Sequence, residues 1–336
     1  MALAGKEIKL IIGCDCEPVG DPIGPAAFSR RGRRENWDLA VRSLRTLTER
    51  LKTAVPSEFA PKLTILLRSD TYMNDVFGDY AYCARASYEF FDGLRSEGHE
   101  IGWHPHLWRW LNDRWTAEVN DVSFMKDCFG RGFNCLSDYF QAKSVRTGWN
   151  FMSNEIMYTL ESLGLQADFS AQPGIKFQEI TQGYGCDWIG APTDFYFPSR
   201  GDYRTRSATD AVHLLEMPIT LTETPDLVRW IRPIADRFRK IQRVPSRYEP
   251  LNIAKNLMFN KAAFFEAVSK CNARGMSCIL TSFHPSDLTH ARLFSMDFFI
   301  INMKFLVSLC RKEGVRLIGM TATQAAEEFL VTNSQE

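Results

Sequence analysis

The chain alternates short apolar runs with longer amphipathic stretches almost from end to end, and this rhythm limits the folds open to it. Residues 8–15 read as a strand; a helix follows from about Asn36 to Lys52, with Leu39, Val41, Leu44 and Leu47 on its apolar face. Leu63–Arg68 is a second strand, Tyr80–Ser96 a helix stopped by Gly98, and a third strand ends at His104. The pattern continues with a helix within 120–141, a strand at 143–147, a helix at 153–163 closed by Gly164, and strands at 165–169 and 214–218. Helices at 224–241 and 258–274, the latter stopped at Gly275, precede the strand Ser277–Phe283. The helix Ser295–Glu313 is stopped at Gly314 and leads to a strand at 315–318 and a last helix near 322–330. Parallel strands need long crossovers, so about seven strands separated by helices predict a parallel α/β sheet closed, or nearly closed, as a barrel. No repeat, low-complexity tract or Pro/Ser-rich linker interrupts it. That predicts a single domain over 1–336, with long loops near 182–210 and a helical stretch near 224–274.

Composition narrows function. With 336 residues, 45% of them hydrophobic, the chain can bury a large core. Forty basic residues balance 40 acidic ones, so no global charge draws it to nucleic acid or to an anionic membrane. No window approaches the roughly 18 apolar residues of a membrane span. The N-terminus shows no basic region followed by an apolar stretch and a cleavage site, and the nine cysteines form no repeating framework. Reduced thiols in a cytoplasmic protein are the expectation, with Cys14 and Cys16 packing against helices rather than binding metal.

Sites in parallel α/β sheets lie at the carboxyl ends of the strands. Asp15, Glu17, Asp70, His104, His106, Arg146, Asp168 and His284 all stand at or just past such ends. Side chains alternate along a strand, so Asp15 and Glu17 share a face, as do His104 and His106. Each has a bland alternative. An acidic pair before Pro18 can be a turn, a single histidine is more often structural than a ligand, and Arg146 can be a surface ion pair. Together, two carboxylates and two imidazoles make a ligand set for a divalent metal, with a spare carboxylate for proton transfer. His284, closing a late strand, has the side-chain chemistry of a general acid. Trp103, Trp108 and Trp110 flank the histidines and can be core or wall a sugar-binding pocket, and Trp108, Trp149, Arg68 and Asp70 are the expected substrate-binding residues. His99 is expected to face solvent. Arg30, Arg31, Arg33 and Arg34 read as a solvated run that could grip a phosphate if it lies beside a site. No Gly-x-Gly-x-x-Gly follows the first strand, so a dinucleotide coenzyme has no support.

In this order the pieces resemble the polysaccharide deacetylase family with NodB homology, from about residue 8 to 320. The resemblance rests on Asp15-Cys16-Glu17, on Gly98-His99-Glu100-Ile101-Gly102 leading into His104, on Arg146-Thr147-Gly148 continuing to Asp168-Phe169-Ser170, on Glu216-Met217-Pro218 and on Phe283-His284-Pro285. It implies a distorted (β/α)7 barrel and metal-assisted hydrolysis of an N-acyl amide. Asp15 would be the base, His284 the acid and Arg146 the partner of Asp15, with Glu17 and His104 as metal ligands. Zn²⁺ is the first choice of metal, with Co²⁺, Mn²⁺ or Fe²⁺ as alternatives.

Two positions depart from the family pattern. Its second imidazole normally comes four residues after the first, where this chain has Trp108; His106 is the nearest substitute. Its third-motif proline is replaced by Gly148. The implied substrate is a carbohydrate, or a nucleotide- or lipid-linked sugar precursor. The alternatives are a non-catalytic carbohydrate-binding barrel and a hydrolase of a non-sugar linear or cyclic amide.

Overall fold

A computed structural model describes residues 6–20, 27–56, 59, 61–274, 278–289 and 292–333. Its centre is one parallel sheet of eight strands: β1 (Glu7–Cys16), β2 (Leu63–Arg68), β3 (Glu100–His104), β4 (Ser144–Val145), β5 (Ala167–Asp168), β6 (Leu215–Glu216), β7 (Cys278–Phe283) and β8 (Arg316–Met320). The order is β6-β5-β4-β3-β2-β1-β7, and β8 pairs β1 through Glu7–Ile11, below the stretch of β1 that pairs β2. Beyond β6, the Thr220 N–H donates to the Leu280 carbonyl at 2.9 Å, which links the last strand of the path back to β7. The fold is thus a curled, distorted (β/α)7-type barrel, as expected, with an eighth strand on β1.

Alternation along β1 organises the interior. Ile8, Leu10, Ile12, Cys14 and Cys16 belong to the core between sheet and helices, whereas Ile11 packs inside the barrel with Leu66, Phe169, Leu215 and Leu280. Asp15 and Glu17 continue the inward-facing set of Ile11 and Gly13. The barrel is narrow there, since a Cβ on Gly13 would stand 2.4 Å from the Phe169 ring. Outside, the helix Arg34–Ala54 buries Trp37, Ala40, Leu44, Leu47 and Leu51, a helical spacing that seats one face on the sheet. Each large side chain so buried stabilises the fold by about 1.5–3 kcal/mol. Cys14 and Cys16 are buried free thiols in this layer, as the sequence suggested.

Several local expectations need correction. The helix expected over Tyr80–Ser96 is two helices, Tyr82–Ala86 and Tyr88–Ser96, broken at Ser87, whose hydroxyl accepts from Trp37 Nε1 at 3.1 Å. The helix expected at 224–241 ends at Phe238, and short antiparallel strands at Ile241–Arg243 and Tyr248–Pro250 separate it from the helix Leu257–Arg274. Ile241–Arg243 pairs Lys176–Glu179, which also pairs Gly185–Asp187, so part of the 182–210 loop region is sheet. His99 is half-buried rather than solvent-facing. Its Nδ1 accepts from the Leu63 N–H at 3.0 Å, and burial pushes its pKa down to about 4. Gly275 and Ser277 lie outside the described residues. Among the described residues no helix is long and apolar enough to cross a membrane.

Candidate functional site

The carboxyl ends of β1, β2, β3, β4 and β7 bring the sequence-flagged residues into one cluster. Glu17, His104 and His106 each offer a ligand atom, and these atoms all lie within 4.8 Å of one another. His104 and His106 face each other through Nε2 at 3.0 Å, and His106 Nε2 lies 3.3 Å from Glu17 Oε2. His104 Nδ1 is 2.6 Å from the Arg146 carbonyl oxygen. A carbonyl only accepts, so the proton sits on Nδ1 and the Nε2 lone pair faces the cluster. Burial, outweighing the nearby Asp15, pushes His104 down to about 4.

Asp15 sits beside the cluster and is buried. Its Oδ2 lies 3.0 Å from Arg146 Nη1 and 3.3 Å from His284 Nε2. Among the described residues its Oδ1 has no hydrogen-bond partner. Burial alone would raise the pKa of Asp15, but the Arg146 guanidinium, helped by His104 and His284, holds the carboxyl below its ordinary value. Glu17 is also held well below its ordinary value, burial being outweighed by His106, Arg68 and His104. His284 is the most open member, with its side chain 41% exposed. Its backbone N–H donates to Asp287 Oδ2 at 3.0 Å, which fixes the turn that carries it.

The support beneath was only partly foreseen. Arg68 and Asp70 were expected to touch substrate, yet both are fully buried behind Glu17 and His106. Arg68 donates to Asp70 Oδ2 at 2.8 Å and to Glu17 Oε2 at 2.9 Å, and Asp70 Oδ2 also accepts the His106 backbone N–H at 3.1 Å. Trp108 is likewise fully buried and cannot form a pocket wall; its indole stacks parallel to His106 at 6.4 Å. Trp149 is half-buried and does border the site, 4.8 Å from His106 and stacked on Tyr184 at 5.5 Å. Trp149 and Asn150 both take left-handed backbone angles, φ 55° and 60°. Such conformations cost about 1–3 kcal/mol each in non-glycine residues and cluster at functional sites. Here the turn lets Asn150 Oδ1 accept from Arg146 Nε at 2.9 Å, a positioning contact that no sequence pattern marked.

The two departures in motif spacing meet in space. A Cβ on Gly148 would stand 2.2 Å from His106 Nδ1. The glycine therefore makes room for a histidine placed two residues, not four, after His104. A second carboxyl pair lies behind Arg146. Asp168 accepts from the Ser170 hydroxyl at 2.6 Å and hydrogen-bonds Glu216, whose Oε1 accepts the Ala171 N–H at 2.9 Å. Burial pushes Asp168 up to about 6 and Glu216 well above its ordinary value.

No protein-family model matches the sequence, and no curated protein matches it. Solved structures do match the fold. One assigned as a polysaccharide deacetylase from Mycobacterium smegmatis superposes with a TM-score of 0.52 at 12% identity, covering 99% of this chain and 93% of that one. Another, assigned as a glycoside hydrolase/deacetylase from Parabacteroides distasonis, gives a TM-score of 0.56 at 12% identity over 97% and 71% of the two chains. The fold is that of the polysaccharide deacetylase barrels. At these identities the likeness establishes architecture alone. Of the sequence-flagged arginine run, Arg30 pairs with Asp75 at 3.1 Å.

Proposed function

We propose that this chain is a metal-dependent deacetylase that hydrolyses an N-acyl amide on an amino sugar or sugar precursor. The observation that carries the reading is the convergence of Glu17, His104 and His106 beside an Asp15 that is flanked by Arg146 and His284. The donor set fits a divalent ion. Ligand atoms about 2.0–2.1 Å from a common ion stand roughly 3.0–3.4 Å apart, and His106 Nε2 lies in that range from both His104 Nε2, at 3.0 Å, and Glu17 Oε2, at 3.3 Å. The Arg146 carbonyl that orients His104 is the kind of partner metal-bound imidazoles have. Zn²⁺ suits two imidazoles and a carboxylate, and Co²⁺, Mn²⁺ or Fe²⁺ would be accepted by the same set.

At this place a divalent ion supplies Lewis acidity toward the amide carbonyl and the attacking water. The protein's residues handle the protons. Asp15 is kept ionised by Arg146, and its unpartnered Oδ1 is the oxygen that takes the proton from water. His284, at the open edge, gives a proton to the departing amine nitrogen. The C–N bond breaks and leaves a carboxylate and a free amine. Trp149, backed by Tyr184, offers an aromatic face for a sugar ring, with Trp108, Arg68 and Asp70 holding the ligands rather than the substrate.

The experiment is acetate release from acetylated amino sugars and small amides, measured before and after chelation and again after each divalent metal is restored. Loss and recovery with metal supports the reading. One contact favours the rival, a carbohydrate-binding barrel without catalysis: Arg68 lies 2.9 Å from Glu17, and a guanidinium there weakens a carboxylate's hold on a cation. Sugar binding that survives chelation, with no acetate released, would establish that rival.

A further inference from the structure

The helix Asp226–Phe238 is built inside out. Leu227, Trp230, Ile231, Ile234 and Phe238 recur at spacings of three and four and so share one face. All five are exposed, Trp230 at 71% and Phe238 at 85%. Two of its charged side chains, Arg232 and Asp236, turn toward the protein instead. Arg232 donates to Glu249 at 2.6 Å, and Arg243 donates to Asp236 at 2.9 Å. A continuous apolar stripe left facing water marks a contact surface rather than a fold requirement.

Local charge indicates what covers it. The chain as a whole is neutral, yet between residues 226 and 247 seven basic side chains stand against two acidic ones, Asp226 and Asp236. Counting the neighbouring Glu223 and Glu249 still leaves a positive excess. Among the described residues Arg237, Arg239 and Lys240 form no ion pair with a carboxylate. Ile180, 59% exposed, adjoins the end of this segment, its N–H donating to the Lys240 carbonyl at 3.0 Å. An indole and a phenyl ring at the most exposed points, rimmed by unpaired cations, match the acyl–headgroup boundary of an anionic bilayer. A second copy of the chain is the poorer match, because it would bring two segments of the same charge together.

We propose that this helix lies in the surface of an anionic lipid bilayer, with Trp230 and Phe238 inserted and the flanking arginines on lipid phosphates. The inference goes beyond the deacetylase reading and does not depend on it, since the helix contributes no residue to the metal-type cluster.

The test is co-sedimentation of the full chain with phosphatidylcholine vesicles, with and without phosphatidylglycerol. The expected result is binding at least about tenfold tighter to the anionic vesicles, weakening as salt is raised. Trp230→Ser/Phe238→Ser should weaken it by at least about tenfold, as should Arg237→Glu/Arg239→Glu/Lys240→Glu, with thermal melting unchanged in both. No preference for anionic vesicles, or wild-type binding by the first variant, overturns the proposal. So does a concentration-dependent dimer in light scattering that the first variant abolishes, which would assign the face to a second copy.

Discussion

The barrel holds two carboxyl pairs, Asp15 with Glu17 and Asp168 with Glu216, and their environments drive them in opposite directions. Burial raises all four pKa values, so burial alone does not separate the pairs. Cations do. Asp15 has Arg146 at 3.0 Å, and Glu17 has Arg68 at 2.9 Å; both end below their ordinary values. Asp168 and Glu216 have mainly each other, Ser170 and backbone N–H groups, and they hold a proton. One pair is thus an ionised set, and the other a proton-holding brace behind it. Two carboxyls at strand ends acquire different chemistry from the side chains that neighbouring strands happen to present.

The largest expected effect comes from breaking the ionised pair. Asp15→Asn should lower turnover on a confirmed acetylated substrate by about 10²–10⁴-fold while leaving circular dichroism unchanged. Equal turnover would remove Asp15 from the reaction.

The next acts on geometry. Gly148→Ala places a methyl where only 2.2 Å separates it from His106 Nδ1, so the ring must shift. Divalent-ion affinity measured by titration calorimetry should fall by about 10–100-fold, with overpacking costing about 1–3 kcal/mol of stability. An unchanged affinity would show that His106 is not a ligand.

The proton-holding pair gives a smaller effect with the opposite sign. A carboxyl whose native pKa is raised binds its proton more tightly folded than unfolded, so stability falls as pH climbs from about 4 toward the folded value of about 6. The slope is about 1.4 kcal/mol per pH unit for one group. Glu216→Gln keeps the acceptor for Ala171 and offers Asp168 a permanent donor. Melting temperatures across pH 4 to 7 should then flatten, the variant gaining on the wild type as pH rises. A steeper fall in the variant would contradict the shared-proton arrangement. Smallest of all, Trp230→Ser should move stability by less than about 0.5 kcal/mol in urea unfolding, because an exposed ring contributes little to the fold.

What the sequence made legible follows from local periodicity. The two-residue repeat of β1 was enough to turn Asp15 and Glu17 one way and Cys14 and Cys16 the other, and strand–helix alternation was enough for the barrel. Contacts between distant segments were not readable. Asp168 and Glu216 lie on separate strands, and nothing in either segment announces a shared proton. Gly148 looked like a lost proline until the structure put His106 against it. Trp108, Arg68 and Asp70 were flagged by residue type at the right strand ends, but type does not say whether a side chain ends in the pocket or beneath it. The helix Asp226–Phe238 was visible as an amphipathic segment, yet periodicity does not tell which face meets the protein, and whole-chain neutrality concealed its local positive excess.

The central claim is that Glu17, His104 and His106 together hold one divalent ion. Zn²⁺ binding to the chelated full chain, compared with His104→Ala, tests it most directly. The account predicts one ion per chain, bound at least about 100-fold more weakly in the variant, with acetate release tracking occupancy. Absence of stoichiometric binding, or the same affinity in His104→Ala, would contradict it.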